Sequence, residues 1–145
     1  LVVPSHFPSN EKVRGHALSL SDVKAGRHLD PALPPVPLEA FREDVFLLLK
    51  SGNDTRARAE KLCHDGGHFA PRVKLELEQQ ITAYNLSRYG MGISFCGDTL
   101  ICHVPEEQNL LYYKLDNQDA IREVNFYFKR NRYMTKIITE FLNLI

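Results

Sequence analysis

Three rhythms of apolar and polar residues divide this chain. The first begins at Val45, where Val45-Phe46-Leu47-Leu48-Leu49 stands between Asp44 and Lys50-Ser51-Gly52-Asn53-Asp54. An unbroken apolar run of strand length marks a strand covered on both faces, which requires helices on both sides. Asn53 or Asp54 can cap a helix running to Asp65 with Ala59, Leu62 and Cys63 on one stripe, and Gly66-Gly67 offers a left-handed stop. After Pro71 the alternation Val73-Lys74-Leu75-Glu76-Leu77 predicts a second strand. Ile81, Tyr84 and Arg88 then recur at helical spacing up to Gly90, and Met91-Gly92-Ile93-Ser94-Phe95 reads as a third strand. Strand, helix, strand, helix, strand with short links gives a small right-handed parallel α/β sheet.

The flanks have other rhythms. Leu1-Val2-Val3 reads as the end of a strand, and residues 4–44 are broken by Pro4, Pro8, Gly15, Gly26, Pro31, Pro34, Pro35 and Pro37. One helical turn is predicted over 18–25, capped by Ser19 or Ser21. Such a long irregular stretch suits a crossover between two lobes. Downstream, residues 109–115 are strand-like, and Val124, Phe126 and Phe128 alternate with Asn125, Tyr127 and Lys129 as a half-buried strand. Met134, Ile137, Ile138, Phe141, Leu142 and Ile145 form a helical stripe that must pack on something.

Composition narrows the class. The chain has 145 residues, 43% of them hydrophobic and 25% charged, as a folded globular chain does. Eighteen basic and eighteen acidic side chains cancel, so these residues lack the electrostatic footprint of a DNA-binding surface. No secretory signal or membrane-spanning run interrupts the pattern, and three cysteines, Cys63, Cys96 and Cys102, are expected to stay reduced in a cytoplasmic setting. A first residue other than Met, already inside an apolar run, suggests a cut through a longer protein.

In open α/β sheets ligands gather beyond the carboxyl ends of the strands, where loop amides and helix N-termini converge. Ser51-Gly52-Asn53-Asp54-Thr55 suits a carboxylate or other small polar ligand there: Gly52 permits close approach, Ser51, Asn53 and Thr55 bring hydrogen-bonding groups, and the following helix offers free N–H groups. An ordinary capped turn has the same spacing. Catalytic and metal chemistry have little support. Ser94 lacks the glycine two positions on that a G-x-S-x-G elbow needs, and Cys63 falls on an apolar stripe. Cys63-His64 with His68, and Cys96 with Cys102-His103, lack the spacings of a zinc site. A helix-turn-helix over 79–95 is excluded because position 87 is Ser and a strand follows Gly90.

A family likeness accumulates along these same residues. The stretch from Phe46 to Arg56, Pro71, Glu76-Leu77-Glu78-Gln79, Thr82-Ala83-Tyr84-Asn85-Leu86, and above all Gly90-Met91-Gly92-Ile93-Ser94-Phe95 resemble the effector-binding domain of LysR-type transcriptional regulators. Tyr112-Tyr113-Lys114-Leu115, Phe126-Tyr127-Phe128-Lys129-Arg130-Asn131-Arg132-Tyr133 and Phe141 resemble its C-terminal end. The resemblance implies an α/β fold like the type 2 periplasmic binding proteins, with a small-molecule effector between two lobes and no enzymatic activity. It implies no cofactor, no metal and no membrane. DNA would be contacted only through an N-terminal winged helix upstream of this chain, in a homo-oligomer. It divides the chain into a remnant of a first lobe and its crossover (1–44), a second, effector-binding lobe (45–116), and a return crossover with the first lobe's closing strand and helix (117–145). Ser51, Gly52, Asn53 and Thr55 match the family's effector-facing loop, and Gln79 and Phe95 match positions lining the same cleft. Cys96 and Gly97 depart from the family's habit of a proline after this strand. The helix from Thr55 resembles the face that meets a second subunit. The alternative is a transporter's solute-binding protein of the same fold.

Overall fold

In a computed structural model, residues 1–105, 108–116, 118–122, 125, 127 and 133–144 are described. Among the described residues five strands form one mixed sheet in the order β3-β2-β4-β1-β5. They are β1 (Val2–Pro4), β2 (Val45–Leu49), β3 (Arg72–Leu77), β4 (Ile93–Ser94) and β5 (Leu110–Tyr112). The helices are α1 (Leu20–Lys24), α2 (Asp54–Gly67), α3 (Gln80–Arg88), α4 (Asp98–Ile101) and α5 (Lys136–Leu142).

The central expectation holds: β2 pairs in parallel with β3 on one side and β4 on the other. Phe46, Leu47, Leu48 and Leu49 are all buried, as an apolar run without alternation requires. Phe46 and Leu48 join Ala59, Leu62 and Cys63 of α2 in one core, while Val2, Tyr84 of α3, Tyr112 and Ile101 build a second. Val2 and Val3, successive residues of one strand, fall in different cores because side chains alternate across a sheet.

Residues 1–44, read from the sequence as a remnant of another lobe with its crossover, supply β1 to this same sheet. It lies antiparallel between β4 and β5, with Val2 opposite both Ser94 and Tyr112. Val13, Val36, Leu38 and Phe41 fill the core beside α2. The irregular backbone is pinned by polar groups: the buried Asn10 amide donates to the carbonyls of Pro4 (2.8 Å) and Ser5 (3.1 Å), and Tyr113 Oη donates to Asn10 Oδ1 (2.8 Å). The helical turn expected here is α1, whose Ser19 and Asp22 form a reciprocal capping box.

Two details of the predicted helices need correcting. The left-handed stop after α2 is His68, at φ 51°, and not Gly66-Gly67, which are helical. Gly67 serves close packing instead, since a Cβ there would lie 2.4 Å from the Phe69 ring. On α3 the buried positions are Ala83, Tyr84 and Ser87, whereas Ile81 is exposed, so the stripe is rotated from the Ile81-Tyr84-Arg88 reading.

The predicted strand over 124–128 rests on Val124, Phe126 and Phe128, which lie outside the described residues, as do 129–132 and Ile145. The predicted terminal helix is present as α5, capped by Thr135, and none of its residues is buried.

Candidate functional site

The carboxyl ends of β2, β3 and β4 deliver three loops to one edge of the sheet. The first is a tight turn: Asn53 N–H donates to the Lys50 carbonyl (3.2 Å), and Gly52 takes φ 87°, as the third residue of a type II turn must. No heavy atom lies within 4 Å of a Cβ built at Gly52, so the backbone angle, and not crowding, calls for glycine there. Asn53 then caps α2, its Oδ1 accepting from Thr55 N–H at 2.8 Å. The turn is braced from β3, where the Leu77 carbonyl accepts from Lys50 N–H (2.9 Å) and Glu78 pairs with the Lys50 ammonium. That carboxylate raises the lysine pKa.

The structure brings four of the six candidate residues, Ser51, Gly52, Asn53 and Thr55, into this single turn and helix start. Thr55 and Phe95 meet across a small crevice lined also by Leu47, Leu48, Leu49, Ala59 and Ala83. Phe95 is a core residue as much as a lining one, being 9% exposed with its ring stacked at 6.0 Å on Phe46. Gln79 is the exposed residue before α3 and makes no side-chain cap, so its amide is not committed to the helix. Its neighbour reaches the loop instead: Gln80 Nε2 donates to Thr55 Oγ1 at 3.1 Å.

Sequence reasoning also passed over Arg122, which donates to Thr55 Oγ1 (2.7 Å) and to Asp54 Oδ2 (3.0 Å) from 67 residues away. No local periodicity flags such a contact. The Gln79-Gln80 doublet at a helix start was the one signal available for Gln80.

Other chemistry finds groups committed elsewhere. Ser94 is fully buried and accepts from Ser87 Oγ at 2.9 Å. Burial pushes the Cys63 thiol up to about 12 and the Cys96 thiol up to about 11, so neither is a thiolate near neutral pH. Among the described residues no three His, Cys, Asp or Glu side chains are grouped to hold a metal ion, and no helix is long and apolar enough to cross a membrane.

Comparison with known proteins gives a family match over most of the chain. The LysR substrate binding domain family matches residues 25–145. A Bacillus subtilis (strain 168) protein named as an uncharacterized HTH-type transcriptional regulator, YcgK, is 26% identical over 111 residues, covering 77% of this chain. The chain spans 33% of that relative's length. No solved structure gives a significant match. The loop, the parallel strands that carry it and the family match over most of the sequence lead to one assignment: the chain belongs to the LysR substrate-binding domain family, a ligand-sensing regulatory domain of periplasmic-binding-protein-like fold.

Proposed function

We propose that the chain is the effector-sensing part of a DNA-binding, LysR-type transcriptional regulator, and that it takes a small, acceptor-rich effector at Ser51, Gly52, Asn53 and Thr55, with Gln79 and Phe95 beside them. The observation that carries the reading is the convergence of the 51–55 turn and the starts of α2 and α3 on one edge of the sheet. Free N–H groups at a helix start favour an anion, and Asn53 and Gly52 fix the turn that would present them.

A second observation supports a two-lobed arrangement. Leu1 and Tyr113 exchange backbone hydrogen bonds of 2.8 and 2.9 Å, so β1 and the residue after β5 lie side by side at this same edge. Paired strands at a cleft edge make a natural hinge. In this proposal residues 117–145 return to a first lobe that closes over the loop. Effector bound between lobes then shifts the open and closed populations and biases a DNA-bound homo-oligomer in the cytoplasm, without catalysis and without a cofactor. The relative's printed name favours this over a transporter's solute-binding protein.

Isothermal calorimetry of the intact regulator against a metabolite library tests the site. The expected result is a binder whose affinity falls about tenfold or more in Thr55→Ala and in Ser51→Ala, the loss of one charge-assisted hydrogen bond. A binder equally tight in both variants sinks the assignment.

A further inference from the structure

The segment 118–122 is tied to the first turns of α2 by polar side chains. Arg58 Nη1 donates to the carbonyls of Asp119 (3.1 Å) and Ile121 (3.3 Å), and Lys61 pairs with the Asp119 carboxylate at 2.8 Å. From the other side Arg122 reaches Asp54 and Thr55, and Arg58 itself pairs with Asp54 at 2.9 Å. Ile121, the large apolar residue of the segment, is 68% exposed and adds no core contact. A strap whose contacts include solvent-facing polar side chains opens more easily than a packed element, because exposed pairs are weak and screened by salt.

We propose that residues 118–122 form a reversible latch on the effector loop, and that Thr55 couples the latch to the loop's binding chemistry. The inference rests on the loop reading above for its consequence, though not for its existence. A threonine hydroxyl has one donor hydrogen and two acceptor positions. With the latch closed, Gln80 and Arg122 both donate to Thr55 Oγ1, so the hydroxyl faces a ligand as a donor only. With Arg122 withdrawn an acceptor position returns and a cation leaves the loop. Closed and open latch therefore prefer different ligands, and any ligand with that preference shifts the latch in return.

Hydrogen exchange on the chain without ligand tests this. Arg58→Ala and Arg122→Ala are expected to speed amide exchange in 118–122 by about tenfold or more, the loss of charged hydrogen bonds, while β2 amides keep their wild-type rates. Raising salt from about 0.05 to about 0.5 M should act in the same direction. Thr55→Ala, which lies outside the segment, should also loosen it, and Arg122→Lys should restore part of the hold. If 118–122 exchanges at one rate in all variants and salts, or only in step with β2, there is no latch. If Arg58→Ala loosens the segment and Thr55→Ala does not, the coupling through Thr55 is overturned. Because no ligand enters the experiment, its failure is separate from failure of the effector reading.

Discussion

The strand β2 and the helix α5 are both built from apolar residues in unmistakable patterns, yet they have opposite fates in the structure. Phe46 is fully buried in the core beside α2, whereas Ile137 of α5 is 81% exposed. The difference lies in what surrounds them. A continuous apolar strand with β3 and β4 beside it and α2 and α3 over it finds cover within about 45 residues of chain. An amphipathic helix at the chain's end specifies only which of its faces must be covered. A stripe states a need for packing; the topology decides whether the chain itself meets it.

That contrast orders the expected effects of mutation. Phe46→Ala empties a fully buried site ringed by Phe69 and Phe95, and should cost about 3–5 kcal/mol in urea unfolding. Asn53→Ala removes the α2 cap, with an expected loss of about 1 kcal/mol by the same measurement. The acid limb comes next. Asp22 is held down to about 2 from the ordinary 3.8 by the Ser19 backbone N–H first, then the Ser19 hydroxyl and Arg27. Its folded value lies below its unfolded one, so its contribution is complete above pH 4, approximately, and is lost as pH falls towards 2. Asp22→Asn should flatten stability across that window and leave neutral pH dependence unchanged. The smallest effect belongs to α5: Ile137→Ala should change stability by less than about 0.5 kcal/mol, as exposed substitutions do. A loss near that of Phe46→Ala would mean that α5 is packed after all, and the contrast between the two regions would dissolve.

The same contrast separates what the sequence made legible from what it hid. The units from β2 to β4 were readable because each is local: an apolar run, a cap at Asn53, an alternation at 73–77. The shape of the 51–55 turn was readable for the same reason, being a glycine turn feeding a helix cap. The place of β1 was not, because its neighbours β4 and β5 lie about 90 and 110 residues along the chain. Nor were Arg122 and Arg58, whose partners are set by the folded surface and leave no periodic trace. His68 escaped because an adjacent glycine pair was the better left-handed candidate on conformational grounds, while Gly67 was needed for its lack of a side chain against Phe69.

The central claim is that ligand sensing resides in the loop at the carboxyl edge of the sheet. Its most direct test is an amide NMR titration of the labelled chain with a binder found by calorimetry. Shifts concentrated at 51–55, 79–80 and 95–97 are the predicted result; shifts confined to α5 or to β3's outer edge, with the 51–55 amides unmoved, would contradict it.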